Sequence, residues 1–201
     1  MVLKITAIIF DWGGVLSSKS ALRDFLKEYA KQHGVNPIEL EEKIMNAFQE
    51  AKVGKMTSED FYGVIAKMTK TKPADIHDSF QSFFRSNYDS IELARILKKR
   101  YKVALLTNNI GIWIESALHK NKLTDFFDVV ISSHSVKMAK PNPEIYHEIL
   151  RALGVSSAEC VFIDDKQKNV DTANSMGMHG ITFTSTAQLK RDLEKLGVTT
   201  T

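Results

Sequence analysis

The chain has 201 residues, 43% of them hydrophobic, and its 27 basic and 24 acidic side chains leave a formal net charge of +3. That apolar content buries a sizeable core and excludes a disordered chain. The charges are spread without a block of one sign, which gives no argument for nucleic acid as a partner. Cys160 is the one cysteine, so an intramolecular disulfide is excluded, in keeping with a reducing cytoplasm.

Residues 4–10 open the chain as a strand, the apolar run Ile5, Ala7, Ile8, Ile9, Phe10 feeding directly into Asp11 and then Gly13 and Gly14, where the backbone can turn tightly under a ligand. The run is far too short to span a bilayer, and no basic segment with an apolar stretch and cleavage site precedes it. A soluble, cytoplasmic protein without a membrane partner is expected. From residue 17 to 89 no strand is predicted. Helical stretches follow one another at 21–31, 37–51, 58–68 and 73–84, the third started by the capping-box sequence Thr57, Ser58, Glu59, Asp60. Phe80, Phe83 and Phe84 read as packing between these helices.

Strands and helices then alternate. Ile91, Leu93, Ala94, Ile96 and Leu97 form a helical stripe before the strand 103–106, and Ile112, Trp113, Ala117 and Leu118 form another after Thr107. A third strand covers 129–132. Asn142 and Pro143 start a helix that carries Ile145, Tyr146, Ile149, Leu150 and Leu153 and stops at Gly154. The last strands are 161–163, where Cys160 is a small core residue rather than a nucleophile, and 180–183. The alternation predicts an α/β fold with a doubly wound parallel sheet. Residues 1–16 and 90–201 would form the core domain, and residues 17–89 an inserted helical domain.

Four short segments follow predicted strands and would meet at one sheet edge. They are Phe10, Asp11, Trp12, Gly13, Gly14, Val15, Leu16; Leu106, Thr107, Asn108; Lys140, Pro141, Asn142, Pro143; and Phe162, Ile163, Asp164, Asp165. Adjacent carboxylates such as Asp164 and Asp165 repel unless a cation or proton intervenes, and a hard divalent ion is their natural partner. His33, His77, His119, His134, His147 and His179 are scattered without paired ligand spacing, so a zinc site is not expected.

In order and spacing these segments resemble the haloacid dehalogenase superfamily, most of whose members are magnesium-dependent phosphohydrolases with an aspartate nucleophile. The resemblance implies a Rossmann-like core with residues 17–89 as a type 1 helical cap. It makes Asp11 the nucleophile and Lys140 the cation that pairs with Asp11 and the substrate phosphate. Thr107 and the backbone N–H of Asn108 would bind phosphate. Magnesium would be held by Asp11, Asp165 and the carbonyl of Gly13, with Asp164 bound directly or through water, and Asn169 would brace the loop. The implied partner is a small phosphorylated metabolite.

Gly13 departs from the pattern. The family's phosphatases usually carry there a second aspartate, which protonates the leaving oxygen and later deprotonates the attacking water, work of about 10²- to 10⁴-fold. Some phosphatase-like branches also carry glycine. Dehalogenases lack the second aspartate too, but generally do not keep an acidic pair such as Asp164 and Asp165. The leading expectation is therefore a phosphatase in which water, substrate or a cap residue replaces the proton carrier, slower or suited to acyl and anomeric phosphates. A catalytically weakened phosphate-binding or regulatory protein and a dehalogenase-type hydrolase are the alternatives. Substrate contacts are expected among Ser17, Ser18 and Lys19 and in the stretch 52–55, and Trp12 either shapes the site or fills the core.

Overall fold

Two-residue periodicity decides the core. In the computed structural model, which describes residues 4–18 and 22–201, five parallel strands form one sheet in the order β3-β2-β1-β4-β5. They are β1 (Ala7–Phe10), β2 (Lys102–Thr107), β3 (Val129–Ser132), β4 (Cys160–Asp164) and β5 (His179–Thr182). Successive side chains of a strand point to opposite faces. Ile8, Phe10, Val103, Leu105, Val161 and Ile163 therefore enter one apolar cluster, and Ala7, Ile9, Ala104, Leu106, Cys160 and Phe162 the other. Both faces being covered, the central strands read as continuous apolar runs.

The first face is covered by α5 (Tyr88–Lys98), α6 (Gly111–Lys120) and α10 (Thr186–Lys195), which contribute Leu93, Leu97, Ile114, Leu118, Leu189 and Leu193. The second is covered by α8 (Pro143–Leu153) and α9 (Gln167–Ser175). Helix α8 begins and ends as expected: the Asn142 side chain accepts from the Glu144 N–H at 3.0 Å, and Gly154 closes it at φ 64°.

Between β1 and α5 lie α1 (Leu22–Gln32), α2 (Pro37–Ala51), α3 (Ser58–Thr69) and α4 (Pro73–Phe83). These four helices have an apolar cluster of their own, built on Phe25, Leu26, Leu40, Ile44, Phe61, Ile65, Ile76 and Phe80. Where the chain leaves and re-enters the α/β layers, Ser17 and Ser86 form a single antiparallel bridge. Among the described residues no helix is long and apolar enough to cross a membrane.

The differences from expectation are local. Strand β1 begins at Ala7 rather than residue 4, although Thr6 already donates to the Glu159 carbonyl at 2.9 Å and accepts from Lys102 at 3.0 Å. Strand β5 begins and ends one residue earlier than expected. Helices α9, α10 and the short α7 (Ser133–Val136) were not legible in the periodicity, because each buries only one to three side chains against an otherwise polar sequence. The expected start of the first helix at residue 21 lies outside the described residues. Trp12 is buried in the sheet cluster, so it fills the core. Burial pushes the Cys160 thiol up to about 12, as suits a core residue.

An aromatic side chain of α6 helps to tie the helical layer to the sheet layers. Trp113 of α6 is buried in the apolar cluster of α1–α4. Its ring stacks on Phe80 with centroids 3.7 Å apart and meets Phe48 and Phe61 at 5.8 and 5.6 Å, and its indole N–H donates to the Tyr62 hydroxyl. Replacing Trp113 with Ala removes that plug; the expected cost is about 3–5 kcal/mol, read from denaturant midpoints. Amide exchange should rise first in α2–α4.

Candidate active site

The sheet order places the site. The chain runs outward from β1 through β2 to β3, then returns to the other side of β1 for β4 and β5. The crevice beyond the carboxyl ends of β1 and β4 is the topological switch point, where open α/β sheets bind ligands. All four sequence segments reach this end: Asp11 directly follows β1, Thr107 closes β2, Asp164 closes β4, and Lys140 lies in the loop before α8.

Asp11 is buried, and its N–H donates to the Ile163 carbonyl at 2.8 Å, which holds the start of the loop against β4. Its Oδ1 accepts from the Trp12 N–H at 2.7 Å and pairs with Lys140 Nζ at 3.0 Å. None of the side-chain hydrogen bonds among the described residues uses Oδ2. Burial pushes the Asp11 carboxyl up to about 6; Lys140 pulls the other way, and the charge of Asp164 adds to the rise.

The loop then turns on two glycines with different needs. Gly14 has φ 77°, and a Cβ there would lie 2.5 Å from Asp165 Oδ2, so only glycine fits. Gly13 has φ −67° and ψ 119°, ordinary for any residue, and a Cβ would have only Asp11 Oδ2 near it, at 4.0 Å. Neither backbone nor space requires glycine at position 13. The turn closes with the Ser17 N–H on the Trp12 carbonyl at 2.9 Å.

Lys140 is 3% exposed. Its Nζ donates to Asp164 Oδ2 and to the Leu106 carbonyl, both at 2.7 Å, besides its pairing with Asp11. The three protons of the ammonium thus have an acceptor each. Burial alone would pull its pKa down, but Asp11 and Asp164 more than offset this, and the net shift is upward.

The adjacent acids are not equivalent. Asp164 is fully buried with both oxygens engaged: Oδ1 accepts from the Lys166 N–H at 2.9 Å, and Asn169 Nδ2 donates to both oxygens at 3.0 and 2.9 Å. Asn169 is itself held by the Tyr146 hydroxyl, which donates to its carbonyl at 2.9 Å. Asp165 is half-buried, and its Oδ1 is shielded from solvent without a hydrogen-bond partner. Burial, and the charge of Asp164, keep its carboxyl above the usual range against the pull of Lys166 and Lys140.

A carboxylate oxygen shielded from solvent and without a hydrogen-bond partner, in an acidic cluster, is a ligand position that a cation can fill. Asp11, Asp164 and Asp165 each offer an oxygen within 4.8 Å of the others, and all these donors are hard. The residues present therefore fit a divalent ion.

Thr107 is buried at the end of β2. Asn108 does not abut a helix as expected, because α6 begins only at Gly111. Its side chain instead clamps the Lys140 segment, Nδ2 donating to the Lys140 carbonyl and Oδ1 accepting from the Lys140 N–H, both at 2.8 Å. Sequence reading missed this reciprocal pair and also Ser133, whose Oγ accepts from the Asn109 N–H at 3.1 Å and donates to the Lys52 carbonyl at 2.6 Å. Neither contact has a local sequence signal, since each joins segments far apart in the chain. Ser17 is buried with its hydroxyl on the Trp12 carbonyl, and Lys19 lies outside the described residues.

The haloacid dehalogenase-like hydrolase family model matches residues 8–183. The phosphatase MT3486 of Mycobacterium tuberculosis is 30% identical over 213 residues, covering 97% of this chain and 96% of that protein. A chloroplast flavin mononucleotide hydrolase of Arabidopsis thaliana is 37% identical over 90 residues, but only 37% of its length is spanned. Among solved structures, a HAD family enzyme of Bacteroides thetaiotaomicron in complex with magnesium and inorganic phosphate superposes with a TM-score of 0.76 at 29% identity, covering 90% of this chain and 94% of that one. Sheet order, strand-end carboxylates and near full-length similarity agree, and the chain belongs to the haloacid dehalogenase-like hydrolase family.

Proposed function

We propose that this protein is a magnesium-dependent phosphohydrolase of a small phosphorylated metabolite, working through an aspartyl-phosphate on Asp11. The observation that carries the reading is the pairing of Asp11 Oδ1 with Lys140 and the Trp12 N–H while Oδ2 stays out of the hydrogen-bond network. Such a carboxylate is oriented, and its second oxygen can serve as a nucleophile. The names of its relatives support it: the Mycobacterium tuberculosis protein is a phosphatase, and the Bacteroides thetaiotaomicron structure holds magnesium and inorganic phosphate.

In this reading Asp11, Asp165 and the Gly13 carbonyl hold the metal, and Asp165 contributes the oxygen that otherwise has no partner. Asp164, saturated by Lys140, Asn169 and the Lys166 N–H, orients the others or reaches the metal through water. Magnesium, when bound, neutralises phosphate charge and lowers the Asp11 pKa. Asp11 Oδ2 attacks phosphorus in line as the bond to the leaving oxygen breaks. Lys140 holds Asp11 ionised and balances the phosphoryl oxygens, while Thr107 and the Asn108 N–H receive them. Water then attacks the aspartyl-phosphate, releasing phosphate and restoring the carboxylate. The helical layer of residues 17–89 acts as a type 1 cap that limits the access of bulk water.

No side chain at position 13 carries a proton to the leaving oxygen, so the enzyme favours leaving groups that depart without one, such as acyl and anomeric phosphates. The same gap favours the second reading, a protein that binds metal and phosphate with little turnover.

Phosphate release should require magnesium, stop with a chelator, and fall by about 10³-fold or more in Asp11→Asn. Binding of inorganic phosphate without release from any substrate would select the second reading. Gly13→Asp should fold normally and raise turnover of alkyl phosphates relative to acyl phosphates, by up to about 10²-fold. An unchanged ratio across a substrate panel would reject the leaving-group account.

A further inference from the structure

The turn after α2 meets the strand ends at one point. Ser133 Oγ donates to the Lys52 carbonyl at 2.6 Å, and His134 Nδ1 lies 3.0 Å from the Ala51 carbonyl. A carbonyl only accepts, so Nδ1 carries the ring proton and donates. Both acceptors stand at the C-terminal end of α2, where a helix presents carbonyls that no further turn can satisfy. The His134 ring fills a slot between two glycines of different layers. A Cβ on Gly54 would lie 3.8 Å from its Cε1 and Nδ1, and a Cβ on Gly111, at the start of α6, would lie 3.2 Å from its Cδ2.

From Ser133 the contacts lead to the site. Its Oγ also accepts from the Asn109 N–H at 3.1 Å. The preceding residue, Asn108, grips the Lys140 backbone, while Ile110 and Trp113, which follow, are buried in the apolar cluster of α1–α4. Ser133 is fully buried, and its hydroxyl has both a donor and an acceptor. If the turn moved away, the hydroxyl proton would lose its acceptor in the interior until water entered, and the Lys52 carbonyl would lose a donor. The joint between the two layers is therefore held by hydrogen bonds that only the closed arrangement completes.

We propose that Ser133 and His134 are positioning residues: they latch the turn of residues 52–55 onto the crevice and couple that closure to the segment 107–109, whose Asn108 fixes Lys140. This rests on reading residues 17–89 as the cap of a phosphatase, and it names what holds that cap shut. The two side chains place other groups rather than meet the phosphoryl group. They bring the cap turn, where substrate contacts are expected, and the clamp on Lys140 into position as one unit.

Amide exchange followed by NMR on the whole protein tests the latch without turnover. The reporters are Gly54 and Lys55, whose N–H groups close the turn on the Ala51 and Glu50 carbonyls at 3.1 and 2.9 Å, and Asn109 across the joint. His134→Leu removes one donor and leaves the acceptor of the Asn109 N–H in place. It should speed exchange at all three by about tenfold, with the amides of β1 and β4 unchanged. His134→Asn, which keeps a donor near the place of Nδ1, should restore most of the protection. Ser133→Ala should speed Gly54 and Lys55 to the same extent, and it serves if His134→Leu melts early. In turnover of p-nitrophenyl phosphate with magnesium, His134→Leu should raise KM by about fivefold and leave kcat within about twofold, the mark of lost positioning rather than lost chemistry. Faster exchange at the turn with Asn109 unmoved in His134→Leu, an equal rise in β1 and β4, no recovery in His134→Asn, no change at the turn in Ser133→Ala, or a fall in kcat at constant KM would overturn the latch. The expected exchange pattern in a protein that releases no phosphate from any substrate would instead overturn the phosphatase reading.

Discussion

The buried ammonium of Lys140 is the interaction on which the rest of the site depends. It joins the ends of β1, β2 and β4 at once, through Asp11, the Leu106 carbonyl and Asp164. Buried charges are tolerated only when paired and hydrogen-bonded. Removing the ammonium would leave carboxylates facing one another in the interior, so the cation and the geometry of the strand ends are inseparable. One ammonium against the carboxylates of Asp11, Asp164 and Asp165 still leaves an excess of negative charge. That excess, with the orphaned oxygen of Asp165, makes the site a receptor for a divalent cation.

The surrounding network converts this charge balance into fixed positions. Asn169 and the Lys166 N–H saturate Asp164, and Asn108 grips the Lys140 backbone from both sides. Polar networks in a low-dielectric interior are rigid when satisfied and costly when not. Here Asp165 keeps an oxygen that accepts no hydrogen bond. The helical layer joins the same system twice: apolar packing of Trp113 inside its cluster, and polar contacts of Ser133 and His134 with the turn that carries Lys52.

Much of this was legible in residue patterns. Short apolar runs ending in a carboxylate or threonine marked the ends of β1, β2 and β4, and Asn142 with Gly154 bracketed α8. Helices α9 and α10 escaped because their few buried positions, such as Val170 and Ala173 or Leu189 and Leu193, are too sparse to stand out as a period. The clamp of the Asn108 side chain on the Lys140 backbone joins segments far apart in the chain and has no local signal. Gly13 and Gly14 look alike in the sequence, while only Gly14 has a backbone and a neighbour that demand glycine.

By itself the sequence determined the five strands, the helices with a well-marked apolar stripe and which carboxylates stand at strand ends, because these follow from side-chain periodicity and caps within a few residues. Only the tertiary structure decided the order β3-β2-β1-β4-β5, and with it which of Asp164 and Asp165 is saturated and which keeps a bare oxygen. These are pairings between residues tens of positions apart, set by how faces pack and where strands align, and nothing in the neighbouring residues of either partner encodes them.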